Sequence, residues 1–436
     1  MMHDIHRSHF ANQIGESLLG QKVRVGGWVE DTRDIGKLAF GVIRDITGSV
    51  QVVATDDNLQ LLKNIPRQSA VIVSGLVQKS KAKDFPVEIK VEQIIPLSRA
   101  VHPLPIDPTG RVESAIDKRL DSRALDLRNP KIAAIFRVRS FALHVIRKTL
   151  SSRSFIEVHT PKIIGSASEG GSNLFSFPYF KKKAYLAQSP QLYKEQLILA
   201  LDRVFEIGPY FRAENSHTVR HLNEFISVDL EAAFVDYDDI MDIIEELIRN
   251  VVSELNNNCK SELELATCGG GDQIAIPSCK SSMDRFSYEE CLKELVREGE
   301  KLEFGDDLSD ASLRKLGAIH QGFYFITDWP TQLKPFYIYE NEEDPRISKS
   351  FDLQYGYLEL ASGGRRQHDY SKLHTRLIAQ GLNPIDFSEH LKAFNWGMPP
   401  HSGCGLGFDR LMMVLLNSQN IRDVVLYPRD TERVGP

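Results

Sequence analysis

No stretch of this chain approaches the roughly 18 consecutive apolar residues that a membrane-spanning helix needs. Its first residues, MMHDIHRSHFANQ, lack the apolar centre of a secretory signal. Both absences lead to the expectation of a cytoplasmic protein with no membrane partner. Cysteine is scarce: Cys259, Cys268, Cys279, Cys291 and Cys404 make an odd set with no CxxC pair, which argues against a disulfide framework and a structural zinc site. There is no GxxxxGK[ST] loop and no GxGxxG after a parallel strand, so neither a P-loop nor a dinucleotide-binding site is expected. Excess positive charge is missing too. The net charge of −6 argues against a general nucleic-acid coat, though it leaves room for a local basic surface that meets one RNA. No internal repeat and no long low-complexity tract is present.

What is there reads as more than one domain. At 436 residues the chain is too long for one ordinary core, and 42% hydrophobic with 26% charged residues is normal for a globular protein. Alternating apolar residues with glycine punctuation predict strands at Val23–Val29, Leu38–Arg44, Ser49–Ala54, Ala70–Val77 and Val87–Ile95. A short helix is predicted at Asn58–Ile65, and Leu38, Phe40 and Val42 share one strand face. Five strands with a helix between the third and fourth match an all-β OB-fold barrel, assigned to residues 1–104. The proline-rich VHPLPIDPTG and a charged stretch after it form a hinge, 105–130. From 131 to 436 helical and strand-like runs mix without regular alternation, which predicts an α+β domain on a largely antiparallel sheet. The polar, glycine-containing run Asn256–Met283 reads as a surface loop or insertion.

Three stretches place charge inside apolar strands. In FEIGPYFRAENSHTVRHLNEFISVDLE, Arg212 and Glu214 lie two apart, so a strand puts them on one side, and Arg220 and His221 follow in a loop. Taken alone, that pattern equally suits a weak cross-strand ion pair. FDLQYGYLELASGGRRQHDY carries Asp352 and Glu359 on one run, then Ser362 and two arginines. Carboxylates suit Mg²⁺, and an arginine suits carboxylate or phosphate. GCGLGFDRL, near the C-terminus, sets three glycines before Asp409 and Arg410 and then starts a helix. A glycine-rich backbone at a helix start favours an anion, with a plain surface turn as the alternative.

Together these stretches resemble a known family. FRAE with RHLNEF is similar to the second signature of the class II aminoacyl-tRNA synthetases, GLGFDR to the third, and the helix and strand that end at Pro161 to the first. With the barrel, the chain resembles subclass IIb, and within it the aspartyl-tRNA synthetases of archaeal type, over nearly its whole length except about 256–302. The resemblance implies a class II catalytic domain over 131–436 that forms a homodimer and takes ATP, L-aspartate and the tRNA acceptor end, with the barrel as anticodon-binding domain. It implies that Arg212 and Arg410 are catalytic. The ATP contacts it implies are Arg212, Ala213, Glu214, Arg220, His221 and Leu222, then Glu359, and Gly407 to Arg410, which are Gly407, Phe408, Asp409 and Arg410. Mg²⁺ would be held by Glu359 and Ser362.

For the amino acid, QSPQLYKE supplies Gln191 and Lys194, SASEGG supplies Glu169, and Arg212, Ser362 and Arg366 complete the implied aspartate site. A lysine and an arginine converging suit a side-chain carboxylate and oppose lysine as substrate. KPFY, Lys334–Tyr337, also resembles the aspartyl family. In the barrel, Phe40 would stack on and Gln51 would read the middle anticodon base. Arg33 and Arg44 are lesser candidates for backbone contact. The loop KSKAKDFPVEI resembles the one tied to discrimination between tRNA(Asp) and tRNA(Asn); Lys83 is its candidate residue, and Pro86 leaves charging of both tRNAs open. The implied activity is an aspartate–tRNA ligase without a general base. The alternatives are an asparaginyl enzyme, opposed by Lys194; an inactive binding protein, opposed by intact Arg212, Glu214, Glu359 and Arg410; and an ammonia-dependent asparagine synthetase, opposed by the barrel.

Overall fold

The computed structural model describes residues 5–165, 174–215, 218–266, 277, 279–280 and 282–435. The chain splits into two compact units, Met1–Ser114 and Ala115–Pro436, and the division falls inside the segment that the sequence assigns to a hinge.

The first unit is a closed barrel of five strands in the order β1-β2-β3-β5-β4. The strands are β1 (Lys22–Asp34), β2 (Ala39–Arg44), β3 (Ser49–Ala54), β4 (Ala70–Lys79) and β5 (Val87–Ser98), with helix α1 (Asp56–Lys63) between β3 and β4. The alternation in β2 sorts its side chains. Ala39, Gly41 and Ile43 turn inward and are buried, while Phe40, Val42 and Arg44 remain half-exposed outside. The barrel core is aliphatic, built from Val23, Val25, Val52, Val73 and Ile89 with Leu59 and Leu62 of α1.

The second unit begins with α2 (Ile116–Asp121), α3 (Arg123–Asp126) and α4 (Pro130–Ser152), then β6 (Ile156–Glu157). Asn129 caps α4 by accepting from the Lys131 N–H, with Pro130 at the first position where no N–H is needed. A small sheet of β7 (Ile163–Ile164), β8 (Ser176–Tyr179) and β9 (Lys182–Leu186) precedes α5 (Gln191–Leu201). Next come the hairpin β10 (Arg203–Phe211) and β11 (Glu224–Ala233), then α6 (Tyr237–Asn258), α7 (Lys260–Leu265), β12 (Asp284–Ser287), α8 (Tyr288–Arg297) and α9 (Asp310–Ile319). The chain continues with β13 (Phe323–Thr327), β14 (Ser350–Tyr355), β15 (Leu358–Arg365), α10 (Tyr370–Ala379), α11 (Ser388–Phe394), β16 (His401–Gly407) and α12 (Phe408–Leu415).

Eight strands form one sheet in the order β12-β13-β14-β15-β16-β11-β10-β6. The pairs at its two ends, β12 with β13 and β10 with β6, are parallel, and the five between are antiparallel. Helices α4, α6 and α12 cover one face and bury the main core, with Ile135, Val138, Ile244, Leu247, Phe408 and Leu411 among its members. The 256–283 segment is not uniformly a surface loop. Its first part continues helix α6 and forms α7, and Cys259, Leu263 and Ala266 are buried in the same core. KSELEL offers too few apolar residues for its periodicity to announce that packing.

Within the segment read as a hinge, Arg123 is buried in the second unit. Its Nη1 donates to Asp126 at 2.8 Å, Nε to the Leu426 carbonyl at 3.0 Å and Nη2 to the Val425 carbonyl at 2.8 Å. One guanidinium thus satisfies a buried carboxylate and the C-terminal backbone together. Arg123→Ala strands those acceptors, which costs about 3–5 kcal/mol. The expected result is a thermal midpoint for this unit lower by on the order of 10 °C, read by calorimetry beside the unaltered protein.

Candidate active site

The hairpin β10–β11 carries the FRAE stretch past its first strand. Asn223 pins the connecting backbone: its Nδ2 donates to the carbonyls of Arg212 at 2.7 Å and Glu214 at 3.0 Å. Arg212 and Glu214 are therefore held on one side, Nη1 to Oε1 4.0 Å apart, with the guanidinium over the ring of Phe225 at 5.3 Å. Farther along, Arg220 pairs with Asp310 and lies over Tyr357 at 5.3 Å. Thr218 Oγ1 lies 2.6 Å from His221 Nδ1. Burial, then the positive charge of Arg410, holds His221 below the ordinary histidine value. Arg410 enters at the start of α12 and donates to the Glu359 carbonyl at 2.9 Å. Burial weakens its hold on its proton and the Glu359 carboxylate opposes that.

These groups surround one cavity of about 300 Å³. Arg212, Glu214, Arg220, His221, Leu222, Glu359, Gly407, Asp409 and Arg410 line it, as do Gln191, Ser362 and Arg366. Two named residues are placed otherwise, and a third, Asp409, lines the wall but turns its carboxylate to structure. Ala213 is not on the wall. Phe408 is in the core, with the Arg139 guanidinium 4.6 Å from its ring centre. Asp409 spends its carboxylate on structure, accepting from the Ile226 N–H at 2.8 Å and pairing with Arg139 at 2.5 Å. Glu169 lies outside the described residues.

On the cavity floor, the Glu359 carboxyl is open to the groove yet hemmed in by protein. That crowding first, and Asp352 second, raise it above the usual carboxylate range. Asp352 is itself bound to Lys334 at 2.8 and 3.0 Å. Two acids with one lysine between them leave an anionic corner that a divalent cation would relieve. Among the described residues no group of three or more His, Cys, Asp or Glu could hold a metal alone. The corner therefore fits a cation only if phosphate oxygens and water supply the other ligands, which is the way Mg²⁺ is usually held.

At the other end, β11, β16 and β15 bring rows of residues abreast. Asp229 faces Gly405, which faces Ser362; Glu231 faces Gly403, which faces Gly364. Arg366 grips Glu231 with two bonds, 2.9 and 3.2 Å. Burial alone would lower its pKa, and the Glu231 carboxylate reverses that and holds it fully charged. Lys194 does not reach the cavity wall as the sequence implies. Only 2% exposed, it lies behind Asp229 (3.2 Å) and Glu231 (3.3 Å) and donates to the Cys404 carbonyl at 3.1 Å. Burial pushes the Cys404 thiol up to about 12, so it is an inert packing group. The carboxylates of Asp229 and Glu231 were not singled out from sequence, although Ser227, Asp229 and Glu231 alternate in an apolar strand and announce one polar face.

The glycines of GCGLG have a role here that differs from the phosphate contact expected. A Cβ on Gly403 would stand 2.1 Å from a Glu231 carboxylate oxygen and 2.3 Å from the Leu230 carbonyl; on Gly405 it would meet Asp229 at 3.1 Å. The glycines clear the floor on which these acids lie. Gly403→Ala must displace Glu231 from Arg366. A loss of at least 100-fold in amino-acid activation is expected, on the scale of about 3 kcal/mol for a broken buried pair. Activation by Gly15→Ala, at a position in the first unit where a Cβ meets nothing within 4 Å, provides the comparison.

In the first unit, Phe40 and Gln51 lie on the outward faces of β2 and β3, one step apart diagonally, because Val42 pairs with Gln51 and Phe40 with Val53. Gln51 Nε2 donates to Glu88 at 2.6 Å and to Ser80 Oγ at 3.2 Å. Ser80 opens the 80–86 loop, which closes through its N–H on the Pro86 carbonyl at 3.0 Å and exposes Lys83. Arg44 pairs with Glu30 at 2.9 Å.

Residues 115–431 match the class II tRNA synthetases (D, K and N), and residues 23–97 match the OB-fold nucleic acid binding domain. The chain is 42% identical to an Aspartate--tRNA(Asp/Asn) ligase of Methanothermobacter thermautotrophicus over all of both chains. It is 44% identical to one of Archaeoglobus fulgidus over 98% of this chain and 99% of that one. Among solved structures, asparaginyl-tRNA synthetase from Pyrococcus horikoshii complexed with asparaginyl-adenylate superposes with a TM-score of 0.92 at 34% identity, covering 99% of this chain and 100% of the other. With these matches spanning the paired arginines, the acid floor and the barrel alike, the chain belongs to the class II tRNA synthetases of the D, K and N group and is an aminoacyl-tRNA ligase.

Proposed function

We propose that the chain is an aspartate–tRNA ligase. In the first step the α-carboxylate of aspartate attacks the α-phosphorus of ATP, giving aspartyl-adenylate and pyrophosphate. In the second, a terminal ribose hydroxyl of the tRNA attacks the adenylate carbonyl and AMP leaves. The observation that carries this reading is one cavity with Arg212 and Arg410 over its nucleotide end and Arg366 at its other end. Both first-step reactants are anions, so holding them together and neutralising charge supplies most of the catalysis. Arg212 bridges the α-phosphate and the attacking carboxylate. Glu214 accepts from the adenine amino group, Arg220 and His221 take the outer phosphates, and Arg410 faces the γ-phosphate. Class II synthetases generally use ATP with Mg²⁺; Glu359 and Ser362 would hold it, and it would screen the charge between phosphates.

Gln191 and Arg366 address the amino acid, with Lys194 acting from behind Asp229 and Glu231; Glu169 belongs to the same assignment. The names of the relatives, Aspartate--tRNA(Asp/Asn) ligases, support aspartate and favour charging of tRNA(Asn) as well as tRNA(Asp). Phe40 and Gln51 take the anticodon, and Lys83 borders the loop attached to Gln51 through Ser80. We assign a homodimer and a cytoplasmic location; no helix among the described residues is long and apolar enough to cross a membrane. Asparagine is the second reading, because Lys194 and Arg366 already have carboxylate partners and the superposing Pyrococcus horikoshii structure holds asparaginyl-adenylate.

Pyrophosphate exchange with aspartate, asparagine and lysine decides between them. Exchange with aspartate alone is expected; exchange with asparagine alone refutes the assignment. Arg212→Ala should cut aspartate-dependent exchange by roughly 10²–10³-fold, the scale for losing a donor aimed at developing charge. Phe40→Ala should leave exchange as it is and weaken tRNA charging by about 5- to 100-fold in kcat/KM, matching a lost base stack.

A further inference from the structure

A second buried charged group lies behind the amino-acid end of the cavity. Glu195 sits on α5 one turn after Gln191, and the Gln191 Nε2 donates to its Oε1. Its Oε2 lies 3.3 Å from the Nε2 of His390 on α11 and 3.9 Å from the Nε2 of His401 on β16. These three buried atoms have no hydrogen-bond partner, and what each faces is the opposite group at ion-pair distance. Glu195 and His401 are fully buried and His390 nearly so. We propose that Glu195, His390 and His401 form a buried ionic cluster that positions the Gln191 amide for the amino-acid substrate.

The proton count follows from the partners. His390 Nδ1 faces the Leu192 carbonyl at 3.2 Å, and His401 Nδ1 faces the Pro399 carbonyl at 2.7 Å. A carbonyl only accepts, so each Nδ1 carries a hydrogen. An ionised Glu195 also only accepts, and it needs a hydrogen on one of the two Nε2 atoms; that ring is then an imidazolium. Burial alone would push the Glu195 carboxyl up, and the two imidazoles override it and hold it ionised. The surrounding charges agree with this. Lys194 on α5 and Arg366 after β15 face Asp229 and Glu231 on β11, with His368 beyond Arg366. Glu195 makes three buried carboxylates against two cations, and one imidazolium restores neutrality, which a buried network requires.

The consequence reaches the cavity through Gln191, which lines it. An amide has a donor end and an acceptor end. With Nε2 committed to an ionised carboxylate, Oε1 is set on the opposite side as an acceptor, the polarity that suits a substrate ammonium group. Lacking that partner, the amide turns freely, and its N–H₂ end opposes an ammonium. Glu195 is thus a positioning residue. This inference rests on the assignment of Gln191 to the amino-acid site.

The test is a double-mutant cycle in aspartate-dependent pyrophosphate exchange, using Gln191→Ala, Glu195→Leu and the pair. Each single change should raise KM for aspartate about 10-fold, the scale of one lost charge-assisted hydrogen bond, with KM for ATP and kcat within about 2-fold. The pair should be no worse than Gln191→Ala alone. Glu195→Gln keeps a carbonyl acceptor for Gln191 and should recover most of the loss. If the two changes multiply instead, Glu195 acts on the fold and not through Gln191, and the inference fails. If Gln191→Ala leaves KM for aspartate unaltered, the assignment of Gln191 itself is refuted. Should Glu195→Leu not fold, His390→Leu replaces it in the same cycle, with the same expected and overturning results.

Discussion

The second unit turns on one constraint: ionised side chains are kept out of water under its central strands. Glu231 is fully buried between Arg366 and Lys194, in a place where an unpaired carboxylate would cost several kcal/mol. Everything around it follows from meeting that cost. Arg366 supplies a planar two-bond grip, Lys194 a point charge from α5, and the Cys404 carbonyl takes a further ammonium hydrogen. Strand β16 must pass directly over these acids, so its facing positions have no side chain. The reactive end of the cavity is built outward from this base.

The end of the cavity that holds Arg212 and Arg410 is organised differently. Its arginines come from two separate segments, the loop after β10 and the first turn of α12, and each is fixed mainly by backbone partners. Asn223 fixes the loop by its carbonyls, and Asp409 fixes the turn by the Ile226 N–H. Such fixing limits the rearrangement left to do when charge develops, which is where preorganised donors gain their effect. It also explains why the Asp409 carboxylate, within the same short motif as Arg410, is taken up by the Ile226 N–H and Arg139.

The barrel was legible in the sequence nearly residue for residue, because two-residue alternation and glycine turns are local signals. The outward placement of Phe40 follows from the same alternation once Ala39, Gly41 and Ile43 are seen to fill the interior. That Arg212 and Arg410 would line one cavity was legible through short motifs of distinctive composition. Two things were not. Lys194 was expected at the substrate, and its retreat behind Asp229 and Glu231 depends on a strand 35 residues away. Helix α7 was missed since its packing against α4 rests on Leu263 and the flanking Cys259 and Ala266, too sparse a pattern to show a period. In both, the deciding contact is tertiary and leaves little trace in local spacing.

The close approach of β16 to β11 also bears on inheritance. Both Glu231 and the Leu230 carbonyl fill the space where a Gly403 side chain would stand, so this position cannot gain a side chain whichever residue stands at 231. A lineage that shortened Glu231 would still not release Gly403, because the Leu230 carbonyl stands 2.3 Å from the same Cβ, so the glycine is held by the neighbouring strand's backbone as well as by the acid. This end of the cavity is therefore guarded by the spacing of two backbones as well as by the chemistry of its side chains.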